Sequence, residues 1–333
     1  MAHDQQKTQK NQALPNMDEH EARAYIEKMR WQGSPWCPHC ASVNVYRMEG
    51  KTIRPGLLAC RDCRGHFTVT VGTVMEDSHL PLSTWVRAFH MVATSKKGIS
   101  ALQLQRNLGL GSYRTAWHLA HRIREAMRCH PVAEKLKGEV QVDETYVGPS
   151  RNGRKKAGPT TPRKRGRGTV KQPVMVLVET GGNAHSQPVA SVASKTLRET
   201  MEQQIDVSAT IVTDEWPAYR KAVAGFSGGH QTVNHGEGEY ARFDGFNTNT
   251  AESYFALLKR GIHGTFHHVS KKHLHRYCDE FSFRWSGREL TDADRRDEAV
   301  KGAEGKRLYY KSPVAKPDPE QPKDGNQLPF WPA

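Results

Sequence analysis

The chain has 333 residues, a formal net charge of +14 and six cysteines, which leaves room for two or three domains. No apolar run approaches the ~18 residues of a membrane span, and the polar N-terminus lacks the apolar core of a signal peptide. We therefore expect no membrane partner and a cytoplasmic, nucleoid-associated protein, whose basic excess favours nucleic acid.

Residues 1–33 are predicted to be a tail, disordered to about residue 16, followed by a short helix. The helix covers residues 17–31, where acids come first and bases last, an order that suits the helix dipole.

Residues 34–72 contain two CxxC pairs in the pattern C-x2-C-x19-C-x2-C. This spacing is typical of a structural zinc site, and in a long chain without an export signal it favours metal over disulfides. With short predicted strands around it, the module resembles a zinc ribbon. Four thiolates fill a tetrahedral Zn2+ site, so His39 and His66 are expected to face solvent. The predicted ligands are Cys37, Cys40, Cys60 and Cys63.

Residues 81–130 are predicted to form three helices, with a glycine-containing turn before the last one. This is the helix-turn-helix pattern, in which the start of the last helix contacts DNA bases or phosphates. A three-helix bundle that only contacts protein is the alternative, and the zinc ribbon and basic charge make it the weaker one. His121 belongs to the same pattern, and the candidate DNA-binding side chains of this helix are Tyr113, Arg114, Trp117, His118 and Arg122.

Residues 137–285 are predicted to form an α/β (α+β) domain. Strands are expected at 140–148, 173–180, 187–194 and 209–213, with a fifth at 231–235, a helix at 197–205 after the third strand, and a basic loop at 150–169. Three strands in a meander, a helix and a further strand ending in an acid match the ribonuclease-H-like architecture. In that architecture an acid on the first strand meets one at the end of the fourth, and Asp143 and Asp214 occupy these places.

A further helix begins near Asn249, for which Thr250 is a candidate N-cap. Asn249, Glu252 and Lys259 fall on one face of it, opposite an apolar stripe. Three converging carboxylates, Asp143, Asp214 and Glu252, would bind two Mg2+ (or Mn2+) ions about 3.5–4 Å apart, the arrangement that phosphodiester chemistry uses.

Other polar residues are weaker candidates. Glu144 should point to the opposite face from Asp143, and Glu215 and Asp244 should be exposed. The aromatic residues of 216–219 are expected to be core. The histidines of 235–275 are expected to pack or to contact phosphates.

Three motifs and the N-terminal part closely resemble the ISXO2-like transposases of the IS1595 insertion-sequence family. The motifs are VDETYVG at 142–148, TDEWPAY at 213–219 and NTAESYFALLKRGIHGTFHHVSKKHLHRYCDEFSFRW at 249–285. The CPHC and CRDC pairs and the segment TSKKGISALQLQRNLGLGSYRTAWHLAHRIREAM are similar as well, so the resemblance covers roughly residues 20–290.

The resemblance implies a bacterial DDE-type transposase that binds terminal inverted repeats and moves DNA by cutting and strand transfer with two Mg2+ ions. It assigns the three acids to Asp143, Asp214 and Glu252 and the following basic residue to Lys259. We also expect Arg260 to contact DNA and Asn249 to be a candidate helper of Glu252.

Two other functions remain open. One is a DNA-binding regulator or domesticated, catalytically silent transposase; the other is a standalone nuclease of the same fold. Residues 286–333 are charged and then rich in proline, so a disordered tail is predicted there. Because strand transfer joins two DNA ends, a homo-oligomer on the transposon ends and target DNA is expected.

Overall fold

The computed structural model describes residues 15–128, 135–148, 171–233 and 248–310. The predicted basic loop at 150–169, the predicted disorder of residues 1–14 and the end of the chain after residue 310 lie outside the described residues, as do His235 and Asp244. No helix in the described ranges is long and apolar enough to cross a membrane.

The N-terminal region is a helix followed by a small antiparallel sheet, as predicted. Asp18 and Glu21 form a capping box at the start of the helix, each accepting a hydrogen bond from the other's backbone N–H. The strands lie in the order β1-β2-β3. The elements are α1 (Glu19–Trp31), β1 (Val45–Arg47), β2 (Leu58–Cys60) and β3 (His66–Phe67).

Three helices follow close to the predicted positions. Ser100 and Ser112 cap the second and third through their side chains, and Gly109 ends the second in the left-handed conformation that glycine favours. The helices are α2 (Leu82–Thr94), α3 (Ala101–Leu108) and α4 (Tyr113–Met127).

The prediction of a disordered tail from residue 286 is wrong for its first part. Thr291 caps a further helix, α9 (Asp292–Lys301), which packs against α1 and α2. Ala299 and Val300 of this helix are buried in the same core as Trp85 and Phe89 of α2. The apolar positions of α9 are too few to give a periodic signal in the sequence. The helix is stabilised by its packing on α1 and α2.

A five-stranded mixed sheet follows, formed by β4 (Glu139–Val147), β5 (Gln172–Glu179), β6 (Ala184–Pro188), β7 (Thr210–Asp214) and β8 (His230–Val233). The strands lie in the order β6-β5-β4-β7-β8. β4 pairs antiparallel with β5 and parallel with β7. β6 starts earlier than the predicted third strand at 187–194. A tight turn before it sets the register, and this turn is closed by the Glu179 N–H, which donates to Asn183 O at 2.9 Å.

Helices cover both faces of this sheet. On one face Val140 and Val142 share a core with Leu197 and Tyr219; on the other Val176 packs with side chains of the last two helices. The first pair of helices is α5 (Ser194–Gln204) and α6 (Pro217–Ala222), and the second pair is α7 (Asn249–Gly261) and α8 (Leu274–Ser286).

A buried ion triad joins the three-helix module to the sheet domain. Arg124 Nε of α4 donates to Glu280 Oε2 of α8 at 2.6 Å, and Arg284 donates to the other oxygen of Glu280. Arg284 also donates to the carbonyls of Val92 and Ser95 at the end of α2. Burial alone would raise the pKa of Glu280, but the two guanidinium groups lower it below its ordinary value.

We expect Glu280→Ala to destabilise the protein by about 3–5 kcal/mol, because two buried guanidinium groups lose their shared counter-ion. Urea unfolding followed by circular dichroism measures the change. The matched control is Glu289→Ala, whose parent side chain is 82% exposed and 3.8 Å from Arg288, and which should leave the midpoint unchanged. An unshifted midpoint in Glu280→Ala would contradict the role of the triad.

Candidate active site and zinc centre

The register of the large sheet brings two aspartates to the same level. In the parallel ladder of β4 and β7, Gln141 pairs with Val212. Continuing this register by two residues sets Asp143 beside Asp214, on strands that lie about 4.8 Å apart. Because alternate side chains share a face, both aspartates lie on the face that Gln141 shares, which is the face covered by α7.

Glu252 lies in the first turn of α7, and its side chain is exposed. The helix begins at Asn249, with Thr248 at the N-cap position, so the prediction of Thr250 as the cap is wrong by two residues. Thr248 makes no side-chain cap hydrogen bond. A side chain of the sheet accepts the hydrogen bonds of the first-turn N–H groups instead.

That acceptor is Gln141, two residues before Asp143 on β4. Its Oε1 accepts from the backbone N–H of Thr250 at 3.0 Å and of Ala251 at 3.1 Å, and the side chain is fully buried. One side chain thus attaches the helix that carries Glu252 to the strand that carries Asp143. The sequence alone did not suggest this role, because glutamine in a strand gives no capping signal.

The acids interact electrostatically. The pKa of Asp143 is raised to about 7. Burial is the largest cause and the negative charge of Glu144 the second, and the charges of Asp214 and Glu252 act in the same direction. The backbone N–H of Glu144, which donates to Asp143 Oδ1 at 2.7 Å, opposes the increase. Like charges therefore accumulate around Asp143, an arrangement that a bound cation would relieve.

Glu144 faces the other side of the sheet, as predicted. It accepts a hydrogen bond at 2.7 Å from the hydroxyl of Tyr219, which is buried on α6. This contact links α6, the helix that follows Asp214, to the strand of Asp143. Trp216 and Tyr219 pack in the core, and Glu215 is exposed, both as predicted.

We expect Gln141→Leu to lower both stability and any activity of the acids. Two helix N–H groups would lose their acceptor, which costs about 1–3 kcal/mol, and the first turn with Glu252 would fray. Urea unfolding measures the stability, and cleavage of DNA, the activity that the family resemblance implies, is measured on the same preparation. The control is Gln172→Leu on β5, which loses a single hydrogen bond to Val189 O and should retain the parent's cleavage rate per folded molecule. Equal cleavage by the two variants would contradict the positioning role.

The acids suit a hard divalent cation by chemistry. Carboxylate oxygens are the ligands that Mg2+ prefers, and it keeps several waters in its shell. Among the described residues, however, the carboxylate oxygens of these acids do not lie as close together as the Sγ atoms of the four CxxC cysteines. Asn249 and Lys259 are exposed on the same helix as Glu252, and Lys259 Nζ lies 5.4 Å from the centre of the Phe255 ring.

The four predicted zinc ligands lie together. Their Sγ atoms are all within 4.8 Å of one another, with Cys37–Cys63 at 3.6 Å and Cys40–Cys60 at 3.7 Å. A tetrahedral Zn2+ with Zn–S bonds of about 2.3 Å needs sulfur atoms about 3.8 Å apart, so the cysteines fit zinc. His39 and His66 are exposed, as predicted.

The predicted DNA-binding residues of α4 divide into two groups. Tyr113 and Arg114 are exposed at the start of the helix. Trp117 and His118 are half-buried, and Trp117 packs 5.3 Å from the ring of His273. Arg260, at the end of α7, is exposed.

The prediction is wrong for the last α4 candidate, Arg122, which is buried, as is its neighbour His121. Arg122 donates to the backbone carbonyl of Glu76 and lies over the Trp85 ring. Helical spacing places both residues on the side of α4 that packs against its neighbours, and periodicity did not distinguish this side from a DNA-facing one.

Comparison with known proteins matches both parts of the chain. Residues 135–286 match the ISXO2-like transposase domain, and residues 17–66 match the transposase zinc-ribbon domain. A relative of Halobacterium salinarum, described as an uncharacterized protein in transposable element ISH50, is 30% identical over 278 residues, which are 80% of this chain and 91% of the relative. Matches to both a transposase zinc ribbon and a DDE transposase domain place the chain in the transposase class. The chain belongs to the ISXO2-like transposases of the IS1595 family.

Proposed function

We propose that the protein is the transposase of an insertion sequence, which binds terminal inverted repeats and catalyses metal-dependent DNA cleavage and strand transfer. The observation that carries this proposal is the β4–β7 register, which sets Asp143 beside Asp214 on the face covered by the helix of Glu252. The negative charges of Asp214 and Glu252 both raise the pKa of Asp143, which supports the same grouping.

The sheet supports a ribonuclease-H-like fold for this domain. Its strand order is β6-β5-β4-β7-β8, with the first three strands antiparallel and the last two parallel to β4. The acid-bearing β4 is the central strand, and the next acid ends the neighbouring strand. This is the arrangement expected from the sequence.

Asp143, Asp214 and Glu252 would hold the divalent ions, with Asp143 shared between the two. Bound ions of this kind activate the attacking oxygen and stabilise the leaving oxygen of a phosphodiester. The chain's own groups orient the ligands: Gln141 holds the helix of Glu252, and the Trp216 N–H donates to Asp214 Oδ1 at 3.1 Å. Lys259 would bind a phosphate of the reacting strand, and Asn249 would assist Glu252.

DNA recognition is assigned to the exposed start of α4, where Tyr113 and Arg114 lie, with Trp117 and His118 as secondary contacts. Joining two ends requires two active sites, so we propose a homo-oligomer on DNA. The zinc ribbon would add a second recognition module.

A strand-transfer assay tests the proposal. The full chain is incubated with Mg2+ or Mn2+, a labelled duplex of the element's terminal repeat and a target plasmid. Joined product supports a transposase; nicks without joining indicate a nuclease, and binding without either indicates a regulator. The last two outcomes would overturn the proposal.

A further inference from the structure

The segment after the helix of Glu252 has an unusual backbone. α7 is followed at once by a π-helical turn, Ile262–Phe266. His267 then adopts φ +58° and ψ −45°, and the N–H of His268 donates to Phe266 O at 2.6 Å, which closes a γ-turn. Turns of this kind are rare and strained, and such strain concentrates at functional segments.

Phe266 holds this segment against three other elements. Its ring centre lies 4.7 Å from that of Tyr277 on α8, and the guanidinium of Arg124 on α4 lies 5.1 Å from it. In the turn between α2 and α3, a Cβ added to Gly98 would lie 2.5 Å from the Phe266 ring. The ring therefore occupies a socket that both the helix-turn-helix module and the sheet domain line.

The outer surface around this socket is basic. Residues 259–272, KRGIHGTFHHVSKK, contain no acid, and Lys96 and Lys97 adjoin Gly98 in the facing turn. The lysine and histidine side chains of residues 262–272 and of the facing turn are all exposed: Lys96, Lys97, His263, His267, His268, Lys271 and Lys272. A surface that carries several lysines and no acid suits the evenly spaced phosphates of a nucleic-acid backbone.

We propose that this surface, named here the 262–272 clamp with Lys96 and Lys97, binds the DNA backbone between the recognition helix and the acids. The inference rests on the proposed function. The clamp starts ten residues after Glu252 on a continuous helix, a distance of about 15 Å at about 1.5 Å per residue. Because a DNA duplex rises about 3.4 Å per nucleotide along its axis, this distance corresponds to roughly four nucleotides from the cleaved bond.

The lysines test the proposal through the salt dependence of binding. The full-length variant Lys271→Gln/Lys272→Gln is titrated with a duplex of the element's terminal repeat and with an unrelated duplex. Losing two phosphate contacts reduces the slope of log K against log salt by about 1.8, so the affinity loss between 50 and 200 mM salt is about 12-fold smaller, for both duplexes. The matched control, Lys195→Gln/Lys221→Gln, removes two exposed lysines from α5 and α6 on the other face of the sheet and should keep the parent's slope. A parental slope in the clamp variant overturns the proposal.

Phe266→Leu tests whether the clamp is preformed. This variant keeps every charge, but leucine fills the socket only in part. Residues 262–272 are therefore no longer fixed against the neighbouring elements. We expect its salt slope to fall as in the lysine variant while its zinc content and far-UV circular dichroism match the parent. A parental slope in this variant shows that charge acts without the anchored geometry and overturns the role of Phe266.

The two proposals fail differently. If the lysine variant keeps the parental slope while Asp143→Asn loses strand joining, the clamp is refuted and the proposed function stands. If the parent never joins strands but the lysine variant shows the reduced salt slope, the clamp stands as a DNA contact and the enzymatic proposal is refuted.

Discussion

Replacing Asp143 by Asn is expected to abolish cleavage and strand transfer while leaving binding to the terminal repeat intact. Bound metal ions would supply several kcal/mol of transition-state stabilisation, so losing the ligand proposed to be shared between them should lower the rate by about 10³-fold or more. Labelled terminal-repeat duplex, assayed for nicks and joined product at saturating Mg2+, measures the effect. Asp214→Asn should behave in the same way, and Glu215→Gln, on an exposed neighbour, is the control. Cleavage at the parent's rate in either Asp variant places the site elsewhere.

The same variant separates a functional from a structural role by its pH dependence. Asp143 has its pKa raised to about 7 in the folded protein, above its ordinary value of 3.8. The ionised carboxylate therefore destabilises the metal-free fold, from about pH 4 upward and fully above pH 7. Asp143→Asn should melt at a higher temperature than the parent at pH 8 without metal, and at the same temperature below pH 4. A lower melting temperature at pH 8 would indicate that the carboxylate is structural.

Replacing Cys37 and Cys40 by Ser is expected to remove the zinc and unfold the ribbon. Structural zinc binding contributes about 10–16 kcal/mol to the folding free energy of small domains. The three strands of the ribbon have eight residues in all, too few to supply this stability without the metal. Affinity for the terminal repeat should fall toward that for unrelated DNA. Zinc content by atomic absorption and filter binding measure the two effects.

The control for this variant is His66→Gln, which changes an exposed residue beside the centre and should retain one zinc per chain. Because the ribbon and α9 share a core, loss of zinc should also expose tryptophan in that core, seen as a red shift in fluorescence. Full zinc content in the double Cys variant would refute the ligand assignment.

The sequence by itself determined the features that arise from neighbouring residues. The spacing of the cysteines predicted the zinc centre, because each CxxC turn positions two thiolates locally. Caps and helical periodicity located α1 to α4 to within a few residues, and alternation located most strands of the large sheet. The motif around Glu252 was long enough to indicate the family directly.

Only the tertiary structure decided which side chains meet across the fold. The burial of Arg122, the capping of α7 by Gln141 and the socket of Phe266 each join residues far apart in the chain. Such contacts depend on strand register and helix docking, and a local pattern carries no information about either. The docking of α9 shows the same limit, because its few apolar residues matter only against the surface of α1 and α2 that buries them.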